Sequence, residues 1–341
     1  NAAYQVTDGV MILNFSAIET INAGDGLDTF NLSGAPMMDL NAGDGADIFN
    51  FAAGASLTGT LDGQSSTDTL AYIAFGNAVT ISLNDLGITD GFGGTATGIT
   101  GTFTNLDALL GSIGNDTLNG LDSGQWSAVS STSGQYSSTH TLDFASFEIL
   151  NGGSGADTFL AAEGITFDGV FDGGAGDDTL SYANAYTSAV ITLMALGAID
   201  GFTGTATGLA NGFSNINTLV GGTGSDTLIG LNALSTFNLQ PSTAHQYISI
   251  NSLNFSAIDN LVGGSDTDIL SYAAYTTSVT INLAAGTATD FTSFSGIENI
   301  IGGSGSDEIT GDAGDNLLNG GAGDDTFYFL NGWGADTVTD S

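Results

Sequence analysis

Apolar and polar residues alternate in short runs along the whole chain, and Gly- and Asp-rich stretches separate the runs. Ala78–Leu83 (AVTISL), Ala189–Leu193 (AVITL) and Ser278–Leu283 (SVTINL) place one apolar and one polar face on an extended backbone. No amphipathic run with a 3.6 period persists, and glycine occupies 52 of 341 positions. The pattern predicts an all-β chain of short strands. One bulky apolar residue recurs just after many of the turns: Phe30, Phe49, Leu70, Leu118, Phe159, Leu180, Leu228, Leu270, Ile309 and Phe327. These predict a single core ladder, with Thr or Ile before most of them suiting a strand leaving a turn.

The turns share one pattern, clearest in Gly302–Asp336. It reads GGSGSDEIT, GDAGDNLLN, GGAGDDTFY and, two residues on, NGWGADTV. Each unit opens on a Gly-rich turn with Asp or Asn and then offers an apolar residue, read as Ile309, Leu317, Phe327 and Val338. Single turns of the same type end on Asp28, Asp47, Asp116, Asp157, Asp178, Asp226 and Asp268, with a degenerate copy, GQSSTD, ending on Asp68. With Asp307, Asp325 and Asp336 of the last stretch, these are the candidate metal ligands. A second acid sits inside some turns: Asp25, Asp44, Asp177, Asp315 and Asp324. Glycines allow a tight loop whose carbonyls face inward, and Asp adds a hard carboxylate oxygen. Carbonyls and carboxylates without sulfur or imidazole suit Ca²⁺.

These tandem units resemble the RTX, or haemolysin-type calcium-binding, repeat. The resemblance implies a right-handed parallel β-roll, a β-solenoid in which each nonapeptide is half a coil and several Ca²⁺ ions sit between successive turns on one side. It also implies a secreted bacterial protein, extracellular or at the cell surface, exported through a type I system and folding when it meets external calcium.

Charge changes the picture further. Lys and Arg are absent and 37 residues are acidic, giving a formal charge of −37, where an average chain of this length would carry ~40 basic residues. No Lys or Arg ion pair can form, so compensation must come from outside. Asp outnumbers Glu by 32 to 5, and Asp is the shorter carboxylate that fits a turn. About ten bound Ca²⁺ would bring −37 to about −17. Without metal, self-repulsion opposes the compact state. Nucleic acid is excluded as a partner by the sign of the charge. There is no Cys, hence no disulfide framework, and no apolar run of transmembrane length.

Spacing separates two kinds of coil. The steps Asp28 to Asp47, Asp47 to Asp68 and Asp157 to Asp178 are 19, 21 and 21 residues, one minimal coil each. The steps Asp68 to Asp116 and Asp178 to Asp226 are 48, and those to Asp157 and Asp268 are 41 and 42, predicting widened coils. A repeat of about 110 residues overlies the turns. Its blocks are Phe15–Phe30, Phe144–Phe159 and Phe255–Leu270; Asp68–Leu83, Asp178–Leu193 and Asp268–Leu283; and Phe103–Leu118, Phe213–Leu228 and Phe294–Ile309. The expected organisation is one continuous solenoid over 1–341: long repeats at about 1–134 and 135–245, a shortened one at 246–301, and a minimal stack at 302–338. Ser/Thr-rich Gln125–Thr141 and its counterpart near Thr236–Gln246 are expected to project as loops, with His140 and His245 exposed on them and Trp126 a candidate surface contact.

Catalytic groups are scarce. Lys, Arg and Cys are absent, and neither His stands near a Ser or Asp constellation, so no enzyme is expected. The Thr-Ala-Thr triplets at Thr95–Thr97, Thr205–Thr207 and Thr287–Thr289 occur once per long repeat, too sparsely for an ice-binding array. The expected role is a calcium-binding structural protein, part of an extracellular filament, adhesin stalk or surface layer, associating end to end or continuing into a longer chain. The alternative is the C-terminal secretion and folding module of a type I-secreted enzyme or toxin.

Overall fold

The computed structural model describes residues 4–7, 12–15, 18–184, 187–242, 244–330 and 332–340. Ser16 and Ala17 of the first block, Ala185 and Tyr186 of the second, Thr243 and Asn331 lie outside the described residues. The described residues form thirty-eight short strands and no helix. The chain divides into two compact units, 1–159 with 165–176, and 160–164 with 177–341.

In the minimal coils successive strands alternate between the two faces of the stack and pair in parallel, as a solenoid requires. In the first unit Phe30, Phe49, Leu70 and Leu109 stand in one register. Ile21, Leu40, Leu61 and Phe103 do the same in the other sheet. The second unit repeats this with Ile191, Leu228, Leu261 and Phe294, and with Leu270, Ile300, Leu318 and Val338. One side chain per three-residue strand points inward. Of the ten core positions read from the sequence, nine are buried and Phe327 is half-buried. In the GDAGDNLLN unit the inward residue is Leu318, fully buried, and Leu317 points out. Counted from the turn's first glycine, Leu318 is the eighth residue, the place Ile309 holds in the unit before. Adjacent rings stack along the ladder, as Phe30 does on Phe49 at 4.9 Å between centroids.

The long intervals are spent along the stack. After Thr69–Ala71 the chain runs ahead: Thr80–Leu86 pairs in parallel with the later strand Thr117–Asn119. Phe92–Ala96 then returns antiparallel, and Phe103–Leu106 turns forward again to rest on Leu61–Asp62. The other sheet does the same with Gln125–Ala128, Ser133–Ser137 and Thr141–Ala145, the last in parallel with Ala108–Leu110. The second unit repeats both moves, with Val190–Leu196, Phe202–Ala206 and Leu209–Ile216, then Ser235–Asn238, His245–Ile248 and Ser252–Ser256.

This overturns the expected loops. Gln125–Thr141 and Thr236–Gln246 contribute strands within the sheet, and Trp126, Tyr136, Phe237 and Tyr247 are fully buried. Trp126 is therefore a core residue. His245 is buried between Phe255 and Phe291, ring centroids 5.3 Å from each, and burial holds its imidazole below the usual range. His140 is half-buried, with Nδ1 2.6 Å from the carbonyl of Gly91. Asn251, one long repeat later, donates to the carbonyl of Gly201 at 2.8 Å. The Thr-Ala-Thr triplets are cross-strand staples. The N–H groups of Thr80, Val190 and Thr280 donate to Oγ1 of Thr97, Thr207 and Thr289 at 2.8–2.9 Å. The carbonyls of the same threonines accept the buried hydroxyls of Tyr72, Tyr182 and Tyr272.

Candidate metal sites at the turns

Every terminal Asp of the turns from Asp28 to Asp307 is buried, at 0–5 % exposure. Asp325 and Asp336, near the C-terminal edge, are half-buried. Burying an ionised carboxylate is costly unless donors or a cation face it. One donor comes from the coil before. The N–H of Asp28 donates to Oδ1 of Asp47 at 2.7 Å, and that of Asp47 to Oδ1 of Asp68 at 2.8 Å. Asp307 donates to Asp325 at 2.8 Å and Asn316 to Asp336 at 3.0 Å. In the turns that follow a widened coil the donors are Val79 to Asp116, Ala189 to Asp226 and Val279 to Asp307, at 2.6–2.9 Å.

The second carboxylate oxygen divides the turns into two kinds, and the backbone of the turn's second residue decides which. In one kind that residue is not left-handed and its N–H folds back onto Oδ2. Gly222 donates to Asp226 at 2.6 Å, Gly264 to Asp268 at 2.6 Å and Gly303 to Asp307 at 2.7 Å, and Ser112 donates to Asp116. In the other kind the second residue is left-handed: Gly43 (φ 102°), Gln64 (φ 76°), Gly153 (φ 118°), Gly174 (φ 87°), Gly321 (φ 92°) and Gly332 (φ 91°). Its N–H then points elsewhere. Oδ2 of Asp47, Asp68, Asp325 and Asp336 is left buried with no donor.

Oxygen crowds the carboxylates of these turns. A Cβ added at Gly152, the first residue of its turn, would lie 2.6 Å from both Oδ2 of Asp157 and the carbonyl oxygen of Gly173. At Gly63 the same added atom would overlap Oδ2 of Asp68 and the carbonyl oxygen of Asn105. Glycine keeps open a pocket lined by a carboxylate and a carbonyl, which is the donor chemistry of a hard divalent cation. The left-handed turns fit such an ion. The other turns have the same lining at Gly111, Gly221, Gly263 and Gly302, but there an amide hydrogen already faces the carboxylate. Among the described residues no three acidic or imidazole side chains converge as a metal cluster, so carbonyls and water would complete any coordination shell. The second acids Asp25, Asp44, Asp177, Asp315 and Asp324 are exposed. Asp44 accepts from Ser65 Oγ at 2.5 Å and Asp315 from Ala335 N–H at 2.7 Å.

A further set of residues was missed by reading turns alone. Where a run of turns stops, a five-residue segment takes the next turn's place: Phe103–Asp107, Phe144–Glu148, Phe213–Asn217, Phe255–Asp259 and Phe294–Glu298. Its last side chain caps the turn's N–H: Asp68 to Asp107 at 3.1 Å, Asp116 to Glu148 at 2.7 Å, Asp178 to Asn217 at 3.2 Å, Asp226 to Asp259 at 2.8 Å and Asp268 to Glu298 at 2.9 Å. Its third residue is left-handed in all five copies, with φ between 52° and 62°. The signal was present in the sequence as an acid or amide at a constant place after Phe.

Stacked turns with inward oxygens define a β-solenoid of the calcium-binding type. The RTX calcium-binding nonapeptide repeat matches this chain in four copies, over residues 167–183, 211–232 and 292–327. The chain thus carries RTX repeats, a structural and calcium-binding unit, and the matched segments include turns of both kinds. No curated protein matched the chain. No helix among the described residues is long and apolar enough to cross a membrane.

Proposed function

We propose that this chain is a calcium-stapled structural segment of an extracellular bacterial assembly, such as a filament, stalk or surface layer, exported by a type I system and folded by external calcium. The observation that carries this reading is the set of buried, donor-less carboxylate oxygens at Asp47, Asp68, Asp325 and Asp336, in a chain with no Lys or Arg to neutralise them. The proposed ligands are the terminal Asp residues of the left-handed turns, Asp157 and Asp178 among them, together with turn carbonyls. The whole chain is read as one continuous repeat array. Self-association or continuation at the C-terminal edge is supported by Leu317, Tyr328, Phe329, Leu330, Trp333 and Val338, each 38–54 % exposed.

Circular dichroism of the chelator-treated chain tests the calcium part. The expected result is a large gain of β signal on adding millimolar Ca²⁺, reversed by chelator; an unchanged spectrum refutes it. Sedimentation velocity in millimolar Ca²⁺ tests the assembly part. Concentration-dependent growth is expected, and a species that stays monomeric at high concentration rules out self-association.

A further inference from the structure

The first run of left-handed turns ends at Gly63–Asp68, and there the structure brings in an acid from outside the repeat turns. Asp90 lies at the tip of the hairpin joining Thr80–Leu86 to Phe92–Ala96. Its Oδ2 accepts the N–H of Ser66, inside the turn, at 3.0 Å. Its Oδ1 is buried and has no donor. Asn105 fixes the hairpin tip: its Oδ1 accepts the N–H of Thr89 at 2.9 Å, and its Nδ2 donates to Asp62 at 2.6 Å. The left-handed backbone of Asn105, φ 55°, turns its carbonyl toward Gly63, beside Oδ2 of Asp68. Asp68 itself is fully buried and that oxygen is unpartnered.

The geometry points to a divalent cation site, for Ca²⁺, formed by Oδ2 of Asp68, Oδ1 of Asp90 and the carbonyl oxygen of Asn105. It differs from a site between two stacked turns because two of its three donors come from the hairpin and from the segment that ends the run. Two unpartnered carboxylate oxygens and a carbonyl supply three of the six to eight oxygens Ca²⁺ takes, with water free to fill the rest. Asp107 is a positioning residue here, holding the N–H of Asp68. The electrostatics agree. Burial, followed by repulsion from Asp47, Asp107 and Asp90, pushes the Asp68 carboxyl up to about 8, and Asp107 is also raised, first by burial. A cation relieves both. The site locks the hairpin tip onto the turn, so it would close the first run of coils only when calcium is present.

This site rests on the calcium reading above, and the test separates the two. Calcium binding to the full chain is measured by isothermal titration for the wild type, D68N, D90N, the double variant and D85N, the last removing an exposed charge from the same hairpin. The expected result is one ion fewer in D68N and in D90N, the same single ion missing in the double variant, and wild-type stoichiometry in D85N. A wild type that binds no calcium overturns the functional reading itself. A wild type that binds calcium while D90N keeps its stoichiometry and affinity overturns this site alone, as does a double variant that loses two ions. Should D90N not fold at saturating calcium, D90E keeps the charge with a longer reach. About tenfold weaker binding at one site is then expected, and unchanged affinity refutes the proposal.

Discussion

Replacing Gly152 by Ala tests the oxygen-lined pocket directly. The new methyl carbon would sit 2.6 Å from the carbonyl oxygen of Gly173 and 2.6 Å from Oδ2 of Asp157. Non-bonded carbon and oxygen settle at about 3.3 Å, so two oxygens must each give way by about 0.7 Å in a packed interior. Gly152 has no left-handed backbone, so the cost is collision alone, about 2 kcal/mol by the usual range for overpacking. Gly54 is the matched control. Its φ is 67° and an added Cβ meets nothing, so Gly54→Ala costs about 1 kcal/mol of backbone strain alone. Urea unfolding in saturating calcium reads the first effect as a lower midpoint. Calcium titration reads the second: Gly152→Ala weakens binding at its site about tenfold or more, because the displaced atoms are the donors, and Gly54→Ala leaves binding unchanged. Equal calcium affinity in Gly152→Ala and wild type would refute the pocket, whatever the stability change.

Asp226→Asn and Asp325→Asn should separate the two kinds of turn. Asp226 accepts amides on both oxygens, so an Asn there sets its NH₂ against an N–H and costs about 2 kcal/mol while calcium stoichiometry holds; Asp325→Asn instead lowers the stoichiometry by titration calorimetry. Trp126→Ala should cost about 3–5 kcal/mol by denaturant melts. Trp126→Phe should cost far less, since it also removes a buried indole N–H with no acceptor. His245 has a folded-state pKa below its unfolded value, so the fold binds fewer protons than the unfolded chain. Its share of stability is present above the unfolded value of about 6.5 and is lost as pH falls through that value toward the lowered one. Thermal melts in calcium between pH 7.5 and 5 should therefore fall more steeply in wild type than in His245→Phe.

The solenoid and its turns were legible because both rest on local chemistry. A glycine-rich turn with a terminal Asp and one inward apolar residue identifies a rung by itself. Three features were not. Strand Gln125–Ala128 reads as a loop because its Ser and Gln faces outnumber Trp126, and only the partner strands show that Trp126 points in. The split between the turns is equally hidden. Gly222 and Gly321 belong to the same motif, yet Gly321 is left-handed and Gly222 is not. The coil beneath differs: Gly321 stacks on the carbonyl of Gly303 in another repeat turn, while Gly303 and Gly264 lie against the carbonyls of Tyr275 and Leu231, outside any repeat turn. Asp90 was unreadable for a third reason, since 22 residues separate it from Asp68 and the returning hairpin alone unites them.

The last N–H of a turn is taken by an acid or amide of the following layer, whether a glycine turn or a Phe-led segment supplies it. Layers of either sort are therefore interchangeable as acceptors for the turn before them. A stretch of about 110 residues can be gained or lost by recombination between copies without creating a mismatched seam. Length in such a chain is a quantity that evolution can adjust in whole steps, leaving the chemistry of every remaining junction as it was.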